Sequence, residues 1–157
     1  MFDIKTLTIR PFELGDSAMV TEFFDQMGGE TRALFNRGDG NRRSAMGYFD
    51  GLDGDGIVRF AAVDPEGKMA GYVFLWDVGK LVPWLGIAVR EEWKGRRLGG
   101  ALLEHAAGWA RARGCGGILL TTAQGNLRGQ ALYERCGFER LGIHSSGEVL
   151  YLLRFES

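Results

Sequence analysis

The amino-acid sequence predicts an α/β (α+β) fold, a single domain over residues 1–157 with helices on the faces of one mixed central sheet. Apolar residues recur with a period of about two in some segments and about 3.6 in others, the marks of strands and helices. The segments run strand, helix, helix, three strands, helix, strand, helix, two strands, an order that packs as layers on one sheet. No repeat or low-complexity linker divides them, and 157 residues suffice to close one core.

"LTIRPFELGD" (7–16) sets Leu7 and Ile9 against Thr8 and Arg10 and stops at a proline and a Gly-Asp turn, as an opening strand would. Asp16 or Ser17 can cap a helix over 18–27, where Met19, Val20, Phe23, Phe24 and Met27 recur at helical spacing until Gly28-Gly29 ends it. Residues 30–56 are polar, cationic and glycine-rich around a short helix, and are predicted to be mostly exposed. "IVRFAAV" (57–63) and "MAGYVFLWDV" (69–78), joined by "DPEGK", form a hairpin. "LVPWLGIAV" (81–89) contains Pro83 and Gly86, which predict a bulge or a splayed strand end. Leu98, Leu102, Ala106 and Trp109 make one stripe of a helix over 98–113, closed by Gly114. "GILLTT" (117–122) suits a buried strand of the parallel type. "NLRGQALYERCG" (126–137) is a capped helix ending in glycine, and "FERLGI" and "EVLYLLRF" close the chain as a strand pair.

Bulk charge narrows the function. Nineteen Lys plus Arg against 20 Asp plus Glu leave a net charge of -1, so the molecule as a whole has no electrostatic reason to seek nucleic acid or an anionic membrane. Any basic function is therefore local. Cys115 and Cys136 are too far apart, and too poor in neighbouring ligands, for a zinc site or a disulfide framework; no metal is expected. Reduced thiols, and an amino terminus without an apolar leader, point to a cytoplasmic protein. "DGLDGDG" (50–56) is read as a turn, because a calcium loop starting at Asp53 would place Ile57 at its fifth ligand position.

"EEWKGRRLGGALLEHAAGWARARG" (91–114) concentrates Lys94, Arg96 and Arg97 among glycines at a predicted helix start. A helix start offers unpaired N–H groups and about half a positive charge, a natural seat for phosphate. Gly95, Gly99 and Gly100 allow the main chain to approach an anion closely. The chain has no GxxxxGK[ST], and no GxGxxG follows a strand, so nucleotide hydrolysis and dinucleotide redox chemistry lose support.

"LGIAVREEWKGRRLGGALLEHAAGWARARG" resembles the cofactor segment of the GNAT superfamily of acyl-CoA-dependent N-acetyltransferases, whose loop reads Q/R-x-x-G-x-G/A. Lys94-x-x-Arg97-x-Gly99 occupies that frame, with Lys for Gln or Arg, and Arg for the first Gly. "NLRGQALYERCGFERLG" is similar to the later family element: Asn126 opens a helix, Tyr133 follows, and Gly137-Phe138 begins the next strand, with Gly129 where Ala is common. The resemblance spans nearly the whole chain, with its specific motifs in 85–138.

The resemblance implies a sheet of about six to seven strands, splayed in the middle, with about four helices. It implies acetyl-CoA as cosubstrate, its arm beside the main chain of Ile87, Ala88 and Val89 and its diphosphate in the cradle Lys94, Gly95, Arg96, Arg97, Leu98, Gly99 and Gly100. Tyr133 is then the acid for the departing thiolate, also touching the cofactor, and Asn126 hydrogen-bonds the cofactor arm. Glu30 is the first candidate for the base, followed by Asp77, His144 or a bound water. Trp76, Trp84 and Phe35 can wall an acceptor pocket or belong to the core, and Arg32, Arg37, Arg42 and Arg43 can recruit an acidic acceptor. The acceptor is a small-molecule amine or a peptide, in a ternary complex; the alternative is a non-catalytic acyl-CoA or CoA-binding module. A homodimer is common among similar proteins.

Overall fold

The computed structural model describes residues 3–27, 40–50 and 56–156, and its elements follow the predicted order. The centre is the hairpin of β2 (Ile57–Val63) and β3 (Met69–Trp76), apolar on both faces and therefore in need of cover on each. β1 (Thr8–Pro11) pairs outside β2, and β4 (Trp84–Val89) pairs on the other side of β3. With β5 (Gly117–Thr122), β6 (Glu139–Ile143) and β7 (Val149–Arg154) the sheet has seven strands in the order β1-β2-β3-β4-β5-β7-β6. Every neighbouring pair is antiparallel except β4 and β5.

α1 (Ser17–Asp25) and α2 (Gly40–Gly47) cover one face, burying Val20, Phe23, Phe24 and Ala45 against Tyr72, Phe74 and Ala88. α3 (Leu98–Ala112) and α4 (Leu127–Arg135) cover the other, where Leu98, Leu102, Ala106 and Tyr133 join Val73, Leu75, Ile87, Ile118 and Leu120. α3 lies close on β3 because position 71 is glycine: a Cβ there would sit 2.8 Å from Leu102 Cδ1. Each fully buried Leu of this face contributes about 1.5–3 kcal/mol relative to an exposed one.

Some expectations change in the structure. Asp16 stands at the start of α1 without capping it, because its carboxylate accepts from Arg10 Nη1 and Nη2 (2.8 and 3.0 Å) and from the Glu13 N–H (2.8 Å). β4 has no bulge: its register with β3 is continuous, and Pro83 lies just ahead of it, where a missing N–H costs no ladder bond. Gly86 makes room for Phe74, whose Cε1 would be 2.3 Å from an added Cβ. The predicted exposure of 30–56 fails within α2, where Ala45 is buried in the core. Glu30, Arg32, Phe35 and Arg37 lie outside the described residues, as does most of the 50–56 turn. No helix among the described residues is long and apolar enough to cross a membrane.

Candidate active site

The site begins where the sheet opens. β4 and β5 pair at one register position, Trp84 with Leu119, where the Leu119 N–H donates to the Pro83 carbonyl (2.9 Å). Towards their carboxyl ends the strands diverge. The Arg90 N–H donates to the Ala70 carbonyl on β3 (2.8 Å), so alternation along the ladder turns the N–H and C=O groups of Leu85, Ile87 and Val89 towards the gap. Ala88 faces β3 instead, its side chain buried on the α1 side. Asn41 Nδ2 donates to the Ile87 carbonyl at a long 3.5 Å.

A cleft of about 380 Å³ follows this edge to the start of α3, lined by Ile87, Ala88, Val89, Lys94, Gly95, Arg97, Gly99 and Gly100. No side chain caps α3, and the first backbone bond back to the preceding turn runs from the Ala101 N–H to the Arg97 carbonyl (3.2 Å). The N–H groups ahead of it therefore lack intrahelical partners. Arg97 holds φ 73°, the left-handed backbone that glycine adopts without cost, and lines the cleft. Lys94 also lines the cleft and pairs with Glu91 Oε2 (3.2 Å). Arg96 turns away from the lining, its Nε donating to the Glu92 carbonyl (2.8 Å), and the Leu98 side chain is in the core. Gly99 serves packing too, since a Cβ there would lie 2.8 Å from Leu132 Cδ2 on α4.

Two further cations line this cleft that sequence reasoning missed, Arg128 and Arg135. Their seven-residue spacing on α4 puts them on one helix face, the signal that was available.

α4 carries the two other predicted residues. Asn126 Oδ1 accepts from the Gly129 N–H (3.1 Å) and caps the helix, while Nδ2 donates to Thr122 Oγ1 (2.9 Å). Gly129 is required by that arrangement: an added Cβ would be 2.3 Å from Asn126 Nδ2. Tyr133 is 4% exposed, wedged between Phe138 and Tyr151 (centroids 6.0 and 5.7 Å), and its hydroxyl has no hydrogen-bond partner among the described residues. Burial raises its pKa well above that of a free phenol, helped by Tyr151, Cys136 and Glu148 nearby.

Tyr133 also walls a second, smaller cavity of about 120 Å³ between the diverging strands, bounded by Trp76, Leu120, Thr121 and Glu148. Trp76 and Trp84 stack there (6.1 Å, 12°), with the His144 ring edge-on to Trp84 (5.8 Å). His144 Nδ1 is engaged by Ser146, and Asp77 is exposed; neither lines the cavity. His105 sits edge-on to Phe60 (4.7 Å), its pKa lowered by burial, and lines neither cavity. The described residues hold no group of three or more His, Cys, Asp or Glu placed to bind a metal.

A strand gap thus leads from an uncapped helix start to a buried phenol whose hydroxyl has no hydrogen-bond partner among the described residues. The sequence model described as "Acetyltransferase (GNAT) family" matches residues 20–138. The chain belongs to the GNAT acetyltransferase family. The L-methionine sulfoximine/L-methionine sulfone acetyltransferase of Pseudomonas paraeruginosa is 26% identical to it over 140 residues, 86% of this chain and 81% of that protein. Among solved structures, the GNAT domain of S. lividans PAT superposes with a TM-score of 0.83 at 20% identity, covering 95% of this chain and 90% of that one. The spermidine N-acetyltransferase of Vibrio cholerae in complex with CoA and spermine gives 0.72 at 19% identity, with 94% of each chain covered. This chain thus has the family's sequence pattern and its fold, and its long cleft offers what a CoA cosubstrate needs: a strand edge facing the gap, helix-start N–H groups without intrahelical partners, and cations.

Proposed function

We propose that this GNAT protein moves the acetyl group of acetyl-CoA directly to the primary amine of a small molecule while both are bound. The observation that carries the reading is Tyr133, a buried phenol whose hydroxyl has no hydrogen-bond partner among the described residues, in the wall shared by the long cleft and the small cavity. In acetyl-CoA the thioester supplies the activated acyl group. The Ile87 and Val89 edge pairs with the amides of its arm, and the N–H groups of Leu98, Gly99 and Gly100, with Lys94, Arg97, Arg128 and Arg135 around them, receive its phosphates.

Tyr133, which lines both cavities, is in this reading the acid for the departing sulfur. Burial keeps the phenol protonated across the working pH range, so it is always ready to donate. The same dryness raises the affinity of the leaving thiolate for a proton, which narrows the gap between the two groups. Asn126, with its amide engaged at both ends, supports α4 and thereby the place of Tyr133. Direct transfer is favoured because neither Cys115 nor Cys136 lines either cavity, leaving no thiol there to carry the acetyl group.

The test is release of CoA thiol with L-methionine sulfone, L-methionine sulfoximine and spermidine, the first two named for the Pseudomonas relative and the third for the Vibrio structure. Intersecting initial-rate lines are expected when both substrates are varied. Parallel lines overturn direct transfer, and no thiol release with any amine overturns the reading.

A further inference from the structure

Resting on that reading, we infer that Glu148 is the carboxylate that receives the ammonium group of the acceptor and takes up its proton. Glu148 stands just ahead of β7, half-buried, and enters the same cavity of about 120 Å³ that Tyr133 walls. Thr121 Oγ1 on β5 donates to Glu148 Oε1 at 2.8 Å and orients the carboxylate across the gap.

Its backbone is braced as well. The His144 N–H donates to the Glu148 carbonyl (2.7 Å), closing the β6–β7 turn, and Gln124 Nε2 donates to the Gly147 carbonyl (2.7 Å), tying that turn to the loop before α4. A group held from both sides keeps its geometry when a substrate arrives. Among the described residues lining this cavity Glu148 is the one with a formal charge; the remainder are aromatic, aliphatic, amide or hydroxyl-bearing.

An alkylamine reaches the site mainly as an ammonium ion and has no lone pair until a proton leaves. Of its protons, one passes to Glu148 and frees the lone pair. The nitrogen then bonds the acetyl carbon as the carbon–sulfur bond breaks. The sulfur takes the phenol proton of Tyr133, the second proton passes from nitrogen to the Tyr133 oxygen and restores the phenol, and the third stays on the amide. Glu148 returns its proton to water, so charge and atoms balance without a further reactant.

The experiment compares the parent with Glu148→Gln, Thr121→Val and, as a surface control, Glu139→Gln, whose carboxylate pairs with Arg154 outside the site. Binding of CoA by titration calorimetry reports on folding and on the long cleft. Spermidine and L-methionine sulfone are then titrated into the CoA-bound proteins, and turnover of the better amine is measured. Glu148→Gln is expected to bind CoA like the parent, to bind the amine about tenfold or more weakly, and to lose about 100-fold in kcat/KM. Thr121→Val is expected to fall between Glu148→Gln and the parent, and Glu139→Gln to match the parent. Parent-like amine binding and turnover in Glu148→Gln would overturn the assignment while leaving acetyl transfer intact. A parent that binds acetyl-CoA yet acetylates neither amine defeats the transfer reading itself and the assignment with it. Loss of CoA binding by Glu148→Gln would also overturn it, by showing a structural role.

Discussion

At the scale of single residues, Tyr133 and Arg97 show how differently two side chains of one motif set can act. Tyr133→Phe keeps the ring packed against Phe138 and Tyr151 and removes only the hydroxyl, which has no hydrogen-bond partner among the described residues. It is expected to lower kcat by about 100-fold or more while the acetyl-CoA Kd from calorimetry stays near the parent value. A parent-like kcat would strip Tyr133 of its role as acid. The raised pKa also has a sign in stability. Tyr133 is held neutral by burial, and Tyr151 is pushed up to about 12 by burial and by its hydrogen bond to Glu134. Unfolded tyrosines ionise near pH 10, so above that pH the unfolded chain sheds protons that the folded one keeps. Stability is whole below about pH 10 and declines from there upward, and thermal melts of Tyr133→Phe between about pH 9 and 11 should show a shallower decline than the parent. Arg97 carries strain at φ 73°, so Arg97→Gly should gain about 1 kcal/mol and raise Tm by about 2–4 °C, while acetyl-CoA affinity falls several-fold for want of the guanidinium. Unchanged affinity would place that cation outside the phosphate cradle.

At the scale of elements, the same residues read as helix and strand patterns, and here the sequence was most legible. The frame of β5 was predicted at its observed boundaries because continuous apolar character, not alternation, marks a strand covered on both faces. α4 was legible through its Asn126 cap, but the reason for Gly129 was not, because it lies in the turn of the Asn126 amide towards Thr122. Gly129→Ala improves helix propensity by up to about 1 kcal/mol in a free helix, yet here its methyl displaces the cap. Urea denaturation should show a net loss of about 1 kcal/mol, and a gain would mean that Asn126 relaxes freely. Glu148 was passed over for a related reason. It reads in sequence as an ordinary polar residue at a strand edge, and only the β5–β7 pairing brings it over Thr121 and into the cavity of Tyr133.

At the scale of the whole molecule, the proposed function depends on one break in the sheet, where β4 and β5 share a single register pair and then part. A ligand that fills this break binds the folded chain alone. Acetyl-CoA at about 100 times its Kd should therefore stabilise the protein by about 2.7 kcal/mol, seen as a rise in Tm, whereas a DNA oligomer should give none at a net charge of -1. An equal rise with DNA would reassign the basic helix mouth. The sequence by itself determined the order of elements, the helix start rich in cations and glycine, and Asn126 and Tyr133 in register on one helix, since each depends on local spacing and composition. Only the tertiary structure decided that Arg96 turns out of the cleft, that Arg128 and Arg135 turn towards it, and that Glu148 meets Tyr133 across the gap. Those facts depend on which strands are neighbours and how far they diverge, and neighbourhood between residues distant along the chain leaves no mark in local periodicity.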